Sequence, residues 1–321
     1  MLSEPFTSEN VREIPRVQHE YWQKISRKDE CKGASESAQH NKKEIFMNRD
    51  SVVCGNYSYG LFSLDYFLDS MNRLNQRTIE FWGAGPHLYQ DECSVADVDA
   101  IVKKIREHHL QVICYTPEQC MYPVNLGSRD QIIHDWTMRY LKRSLEIANQ
   151  MEAPRTLITI GQGYRNESRE EAFLRCKDSL LELAEYAGKM GTAIMLEHLT
   201  RTTTNLCVTA AELKFMIDLV GGPHLKAMVD VDMAARVGEG PKEYLKLMGK
   251  DICHVHFIDG MPGGHLALGD GILPLDQYVK DLLDFGYDQY LTLEILSDRY
   301  HENPEPAYAQ SIGWFTARGY I

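Results

Sequence analysis

From Ser51 onward the chain repeats one unit eight times: a short apolar run rich in β-branched residues, then a longer stretch with apolar residues at three- and four-residue spacing. Parallel strands need a crossover between them, so this alternation predicts βα units around a parallel sheet. The predicted strands cover 51–56, 78–82, 111–115, 156–160, 192–197, 225–230, 252–258 and 290–295. Helical periodicity is plain over 95–109, 132–151, 170–190 and 275–285. Ser94 and Thr209 stand as N-cap signals, and Gly286 as a stop signal. Eight such units predict a closed barrel, the (β/α)8 TIM barrel, rather than an open doubly wound sheet. No GxGxxG fingerprint follows the first strand, which also argues against a dinucleotide-binding fold.

The length of 321 residues suits one barrel with something added. Residues 1–46 are polar and rich in Lys, Glu, Ser and Gln, and read as an N-terminal extension to a catalytic domain over 47–321. A formal charge of -12, with no basic patch, argues against a nucleic-acid partner and with it against an endonuclease reading of the barrel. No apolar run approaches the roughly 20 residues that span a bilayer, and the N-terminus lacks a secretory apolar region. The expected location is cytoplasmic. The eight cysteines are scattered without a CxxC pair and read as reduced thiols.

In such a barrel the chemistry belongs at the C-terminal ends of the strands, where the βα loops form a mouth above a packed interior. There strand five ends in Glu197, strand six in Asp230 and strand eight in Glu294, while strand seven carries His254 and His256. Any one of these acids alone is as readily a helix cap or a salt-bridge partner. Together they supply an oxygen-and-imidazole set suited to Mn(II), Co(II) or Mg(II), and without a cation the buried carboxylates would repel one another. His254 and His256 share a face because side chains alternate along a strand. His256 is nearer the rim and is the expected ligand, with His254 beneath it. His198, beside Glu197, is a candidate acid or base at the mouth. A barrel that only binds a partner would leave these strand-end groups without a purpose.

In order and spacing these positions resemble the sugar isomerase/epimerase superfamily of xylose-isomerase-like barrels, which includes D-tagatose, D-psicose and fructoselysine 3-epimerases. The fructoselysine type is similar in Ile79-Glu-Phe-Trp-Gly83 with Pro86-His87, and in Tyr115-Thr-Pro-Glu118 with Tyr122-Pro123 and Asn125. It is similar again in Leu196-Glu-His-Leu-Thr200, Met228-Val-Asp230, His254-Val-His256, Gly269-Asp-Gly271 and Leu293-Glu294. The resemblance implies that Glu197, Asp230, His256 and Glu294 hold a divalent metal, Mn(II) first. It implies also that Glu197 and Glu294 face opposite sides of a keto sugar or sugar conjugate as its acid/base pair, inverting the carbon beside the carbonyl. A homo-oligomer is expected by analogy.

The sequence departs from the D-tagatose type at three polar substrate clamps, where it has Thr203, Met233 and Pro262. A free ketose would leave hydroxyls unpartnered there. The mouth is expected instead to be aromatic, with Tyr57, Tyr59, Trp82, His87, Tyr115, Tyr122 and Tyr164, which suits a sugar bearing an apolar or aromatic substituent. Trp82, His87, Tyr115, Glu118, Tyr164 and His254 are the expected substrate contacts. The same proton abstraction can instead eliminate a substituent from a 3-oxo-glycoside. Catalytic subunits of C-glycoside deglycosidases, which act with a small partner subunit, resemble the same barrels, so a lyase in a hetero-complex is the alternative.

Overall fold

The computed structural model describes residues 47–261 and 264–321, so the expected extension over 1–46 lies outside the described residues. Eight parallel strands close into a barrel in sequence order. They are β1 (Val52–Gly55), β2 (Thr78–Gly83), β3 (Gln111–Pro117), β4 (Arg155–Thr159), β5 (Ala193–Glu197), β6 (Leu225–Asp230), β7 (Ile252–His256) and β8 (Tyr290–Leu293). β8 returns to β1 with Thr292 opposite Val53, which removes both sheet edges. The predicted (β/α)8 barrel is therefore the observed fold. β7 and β8 end two residues earlier than the apolar pattern suggested, because the chain there leaves the sheet to build the mouth. Asp259 instead pairs with Leu266 in an isolated antiparallel bridge.

The four predicted helices form over Val95–Glu107, Gln131–Gln150, Arg169–Lys189 and Leu275–Asp284. Their starts follow the local chemistry. Ser94 closes a capping box with Asp97, and Thr209 does the same with Glu212 at the head of the helix Ala210–Val220. Gly286 takes a φ of 68° just past Phe285, a left-handed turn that a Cβ would disfavour.

Apolar side chains form two layers. One lies between the strands and the surrounding helices; the other plugs the barrel itself and comprises Val53, Ile113, Cys114, Leu157, Met195 and Met228. Period-two alternation then dictates what stands on the plug. Two residues beyond Met195 is Glu197, and two beyond Met228 is Asp230; two beyond His254 is His256, and two beyond Thr292 is Glu294. In β5 and β6 the apolar floor and the polar site are successive rungs of one strand, while in β7 and β8 the rung below is itself polar, His254 and Thr292.

Candidate metal centre and substrate cavity

The β6–β7 register sets Asp230 directly beside His256. Glu197 arrives from the end of β5, and Glu294 from the residue after β8. One ligand atom from each of the four lies within 4.8 Å of all the others. His256 Nδ1 is 2.8 Å from Glu294 Oε2, 3.5 Å from Glu197 Oε1 and 3.9 Å from Asp230 Oδ2. These same four atoms are buried and make no hydrogen bond. Orphaned polar atoms are costly in a protein interior, and three oxygens with one imidazole nitrogen converging on a point form the donor set of a divalent cation. Asp230 also serves as an N-cap, since its Oδ1 accepts the Met233 N–H at 2.7 Å; the second oxygen is the one left for the cluster.

Beneath the cluster lies Glu80, fully buried on β2. Its carboxylate accepts hydrogen bonds from Tyr57 Oη at 2.6 Å and Thr116 Oγ1 at 2.5 Å. His254 Nε2 lies 2.7 Å from it, and His256 Nε2 3.3 Å. With Nε2 directed at Glu80, His256 presents Nδ1 to the cluster, which is how an outer carboxylate fixes the orientation of a ligating histidine. Its signal in the sequence is a single acid inside the apolar run Ile79-Glu-Phe, short of the strand end.

Electrostatics divide the carboxylates. Burial pushes Glu197 up to about 7 despite the neighbouring His256. Burial also opposes ionisation of Asp230, but His265, His256 and the Met233 N–H overcome it and hold the group at about 2. Glu294 is likewise lowered against burial by His256 and His265, and Glu80 well below the usual range by His254 and His256. His256 and His265 resist burial and are raised well above an ordinary histidine by the surrounding carboxylates. The field that holds protons on these rings would equally hold a cation.

Above the cluster opens a cavity of about 410 Å³, with Glu197 and Glu294 in its wall. The rest of the lining is mainly apolar, including Tyr57, Trp82, Leu157 and Leu296, with Leu61 and Met121 at 72% and 70% exposure. Tyr57 and Trp82 stack with ring centroids 5.7 Å apart. Among the described residues no Lys or Arg lines this cavity.

Of the residues expected to contact substrate, Trp82 and Glu118 reach this wall. Glu118 Oε1 is engaged by the N–H groups of Cys120 and Met121, both at 2.6 Å, so it shapes the loop that carries Met121. His254 is under the cluster, against Glu80. Tyr115 is buried and donates to Gln90 Oε1 at 2.8 Å. His87 is engaged by Asn56 Nδ2 at 2.8 Å and by the Phe62 carbonyl at 3.0 Å. Tyr164, with Tyr122, lines an adjoining depression, and Tyr59 packs in the core. His198 follows Glu197 and so faces the other side of β5, where it packs on Tyr244 with centroids 4.8 Å apart; burial lowers it to about 4. At the three departures, Thr203 shares the depression with Tyr164, Met233 packs against the core, and Pro262 lies outside the described residues.

A closed eight-stranded parallel barrel with acids and histidines at the C-terminal strand ends defines a barrel of the enzyme type. Residues 68–318 match the Xylose isomerase-like TIM barrel family, and the chain belongs to that family. It is 27% identical over 273 residues to a fructoselysine 3-epimerase of Escherichia coli O157:H7, covering 84% of this chain and 98% of that protein. Among solved structures, a 3-keto-D-glucoside 4-epimerase from E. coli is similar with a TM-score of 0.70 at 18% identity, covering 83% of this chain and 99% of the other. A D-psicose 3-epimerase from Clostridium cellulolyticum H10, with D-tagatose, is similar with a TM-score of 0.69 at 16% identity, covering 84% and 99%.

Proposed function

We propose that this chain is a divalent-metal-dependent epimerase of keto sugars, inverting the carbon beside the carbonyl with Glu197 and Glu294 as the acid/base pair. The observation that carries this reading is the set of four orphaned ligand atoms, two of them on the very carboxylates that line the cavity. Relatives support it in kind, since the fructoselysine 3-epimerase and the 3-keto-D-glucoside 4-epimerase both bear the names of enzymes that epimerise sugars.

Glu197, Asp230, His256 and Glu294 would hold the ion, Mn(II) first and Co(II) or Mg(II) by the same donor set. Bound there, a divalent cation stabilises the negative charge that develops on the substrate carbonyl oxygen. Glu197 and Glu294 enter from β5 and from beyond β8, with β6 and β7 between them, so a sugar in the cavity meets one carboxylate on each side. One takes the proton from carbon as a base; the other, protonated, delivers its proton to the opposite face, and exchange with water resets both. Tyr57, Trp82, Leu61 and Met121 offer the sugar an apolar wall. Among the described residues the wall is mainly apolar, which favours a keto sugar whose substituent presents an apolar stretch to it.

The test is proton exchange in D2O by the Mn(II)-loaded protein, followed by NMR and mass spectrometry, on fructoselysine and on a 3-oxo-C-glycoside in parallel. Deuterium at an inverted carbon is the expected result. Release of the aglycone from the oxo-glycoside without inversion would instead make the enzyme a lyase using the same residues. Glu197→Gln and Glu294→Gln should each slow exchange by about 10²–10⁴-fold. Undiminished exchange in either variant removes that residue from the pair.

A further inference from the structure

A fifth side chain reaches the cluster, and neither strand order nor spacing announces it. His265 lies on the loop after β7, and its Nε2 is 3.0 Å from Glu294 Oε2 and 3.4 Å from Asp230 Oδ2. Both oxygens are among the four orphaned ligand atoms, and both are also faced by His256 Nδ1.

Resting on the metal reading above, we propose that His265 is a fifth protein ligand of that ion. Neighbouring donors of one ion with bonds of about 2.1 Å stand roughly 3 Å apart at right angles. The separations of His265 Nε2 from its two oxygens, 3.0 and 3.4 Å, fall in the same range as the 2.8, 3.5 and 3.9 Å that His256 Nδ1 shows to the cluster. His256 Nδ1 faces three carboxylate oxygens of the cluster, and His265 Nε2 faces two of them, those of Asp230 and Glu294.

The loop is built to hold this residue there. Asp259 accepts the N–H groups of Gly260, Gly269, Gly271 and Leu273 at 2.8–3.1 Å, gathering both ends of the loop on one carboxylate. Reciprocal backbone hydrogen bonds between Asp259 and Leu266, at 2.9 and 2.8 Å, fix the neighbour of His265. The His265 carbonyl accepts the Leu296 N–H at 3.1 Å, which ties the loop to the segment that follows Glu294. Its backbone sits at φ 54°, a left-handed conformation uncommon for a side chain with a Cβ. Such a conformation persists where the surroundings over-determine it, and ligand clamps are a recurrent setting. At the preceding Gly264 a Cβ would stand 2.6 Å from Asp232 Oδ2 and from Arg236 Nη2, so a larger residue there would have to displace that ion pair.

Pulsed EPR of the full chain loaded with Mn(II), in natural-abundance and 15N-histidine-labelled forms, counts the imidazole nitrogens bound to the ion. The wild type should show two and His265→Gln one, with Mn(II) affinity in chelator competition falling at least about 10-fold. Circular dichroism of the metal-free variant checks that it folds. One imidazole in the wild type, or two retained in His265→Gln, overturns the fifth ligand and leaves the metal reading standing. A wild-type chain that takes up no Mn(II) overturns both.

Discussion

Glu80 touches no substrate space, yet it decides how the site is presented. Four donors converge on its carboxylate: Tyr57, Thr116, His254 and His256. A carboxylate can accept from all of them, whereas an amide must turn two hydrogens of its own toward donors. Glu80→Gln is therefore expected to release the His256 ring, lowering metal affinity about 10–100-fold. Isothermal titration with Mn(II) measures this, and an unchanged affinity would show that His256 is held by packing alone. Strand alternation made Glu197, Asp230, His256 and Glu294 legible as a group, because the four positions follow from period two and from where the apolar runs stop. Glu80 obeys the same alternation but lies one rung lower, where a site confined to strand ends does not look.

The strands and their caps were legible element by element, since each rests on local chemistry: β-branched runs for the strands, and Ser94 with Asp97 or Thr209 with Glu212 for helix starts. Loops were not. Position near a strand end groups the aromatic residues as one mouth, but Tyr59 and Tyr115 turn into the packing while Tyr122 and Tyr164 serve an adjoining depression. A loop side chain points where the loop's own hydrogen bonds send it. The loop after β3 illustrates this, because Glu118 holds the Cys120 and Met121 N–H groups and so sets Met121 at the cavity rim. Glu118→Ala should free that turn and weaken the apolar wall, raising KM for the keto-sugar substrate several-fold with kcat little changed. Steady-state kinetics would separate this from direct catalysis by Glu118, which would lower kcat instead.

For the molecule as a whole, the site is a liability when it lacks a cation. Glu197, His256 and His265 have folded-state pKa values raised above their unfolded ones. Each therefore contributes stability that is complete below the unfolded pKa, about 4.3 for Glu and 6.5 for His, and is lost as pH rises through the folded value. Asp230, Glu294 and Glu80 are lowered, so their contributions are complete above the unfolded values and are lost as acid protonates them. The metal-free protein should thus be most stable near pH 4–5 and lose several degrees of Tm by pH 8, on the order of a few kcal/mol. Loading with Mn(II) should abolish the alkaline decline, because the ion takes the place of the protons. Thermal unfolding at pH 6, 7 and 8 with metal or chelator reads this directly, and a metal-free Tm that is flat or rising over that range would contradict it.

The sequence by itself determined the closed barrel, its eight strands and the four groups at the ends of the last four. Each of these rests on hydrophobic period and on local capping, which act over a few residues. Only the tertiary structure decided that Glu80 buttresses His256, that His265 swings back from its loop to Asp230 and Glu294, and which apolar side chains face the cavity. Those contacts join residues up to 176 positions apart. They depend on barrel closure and on the path of loops, where no periodicity fixes the direction of a side chain.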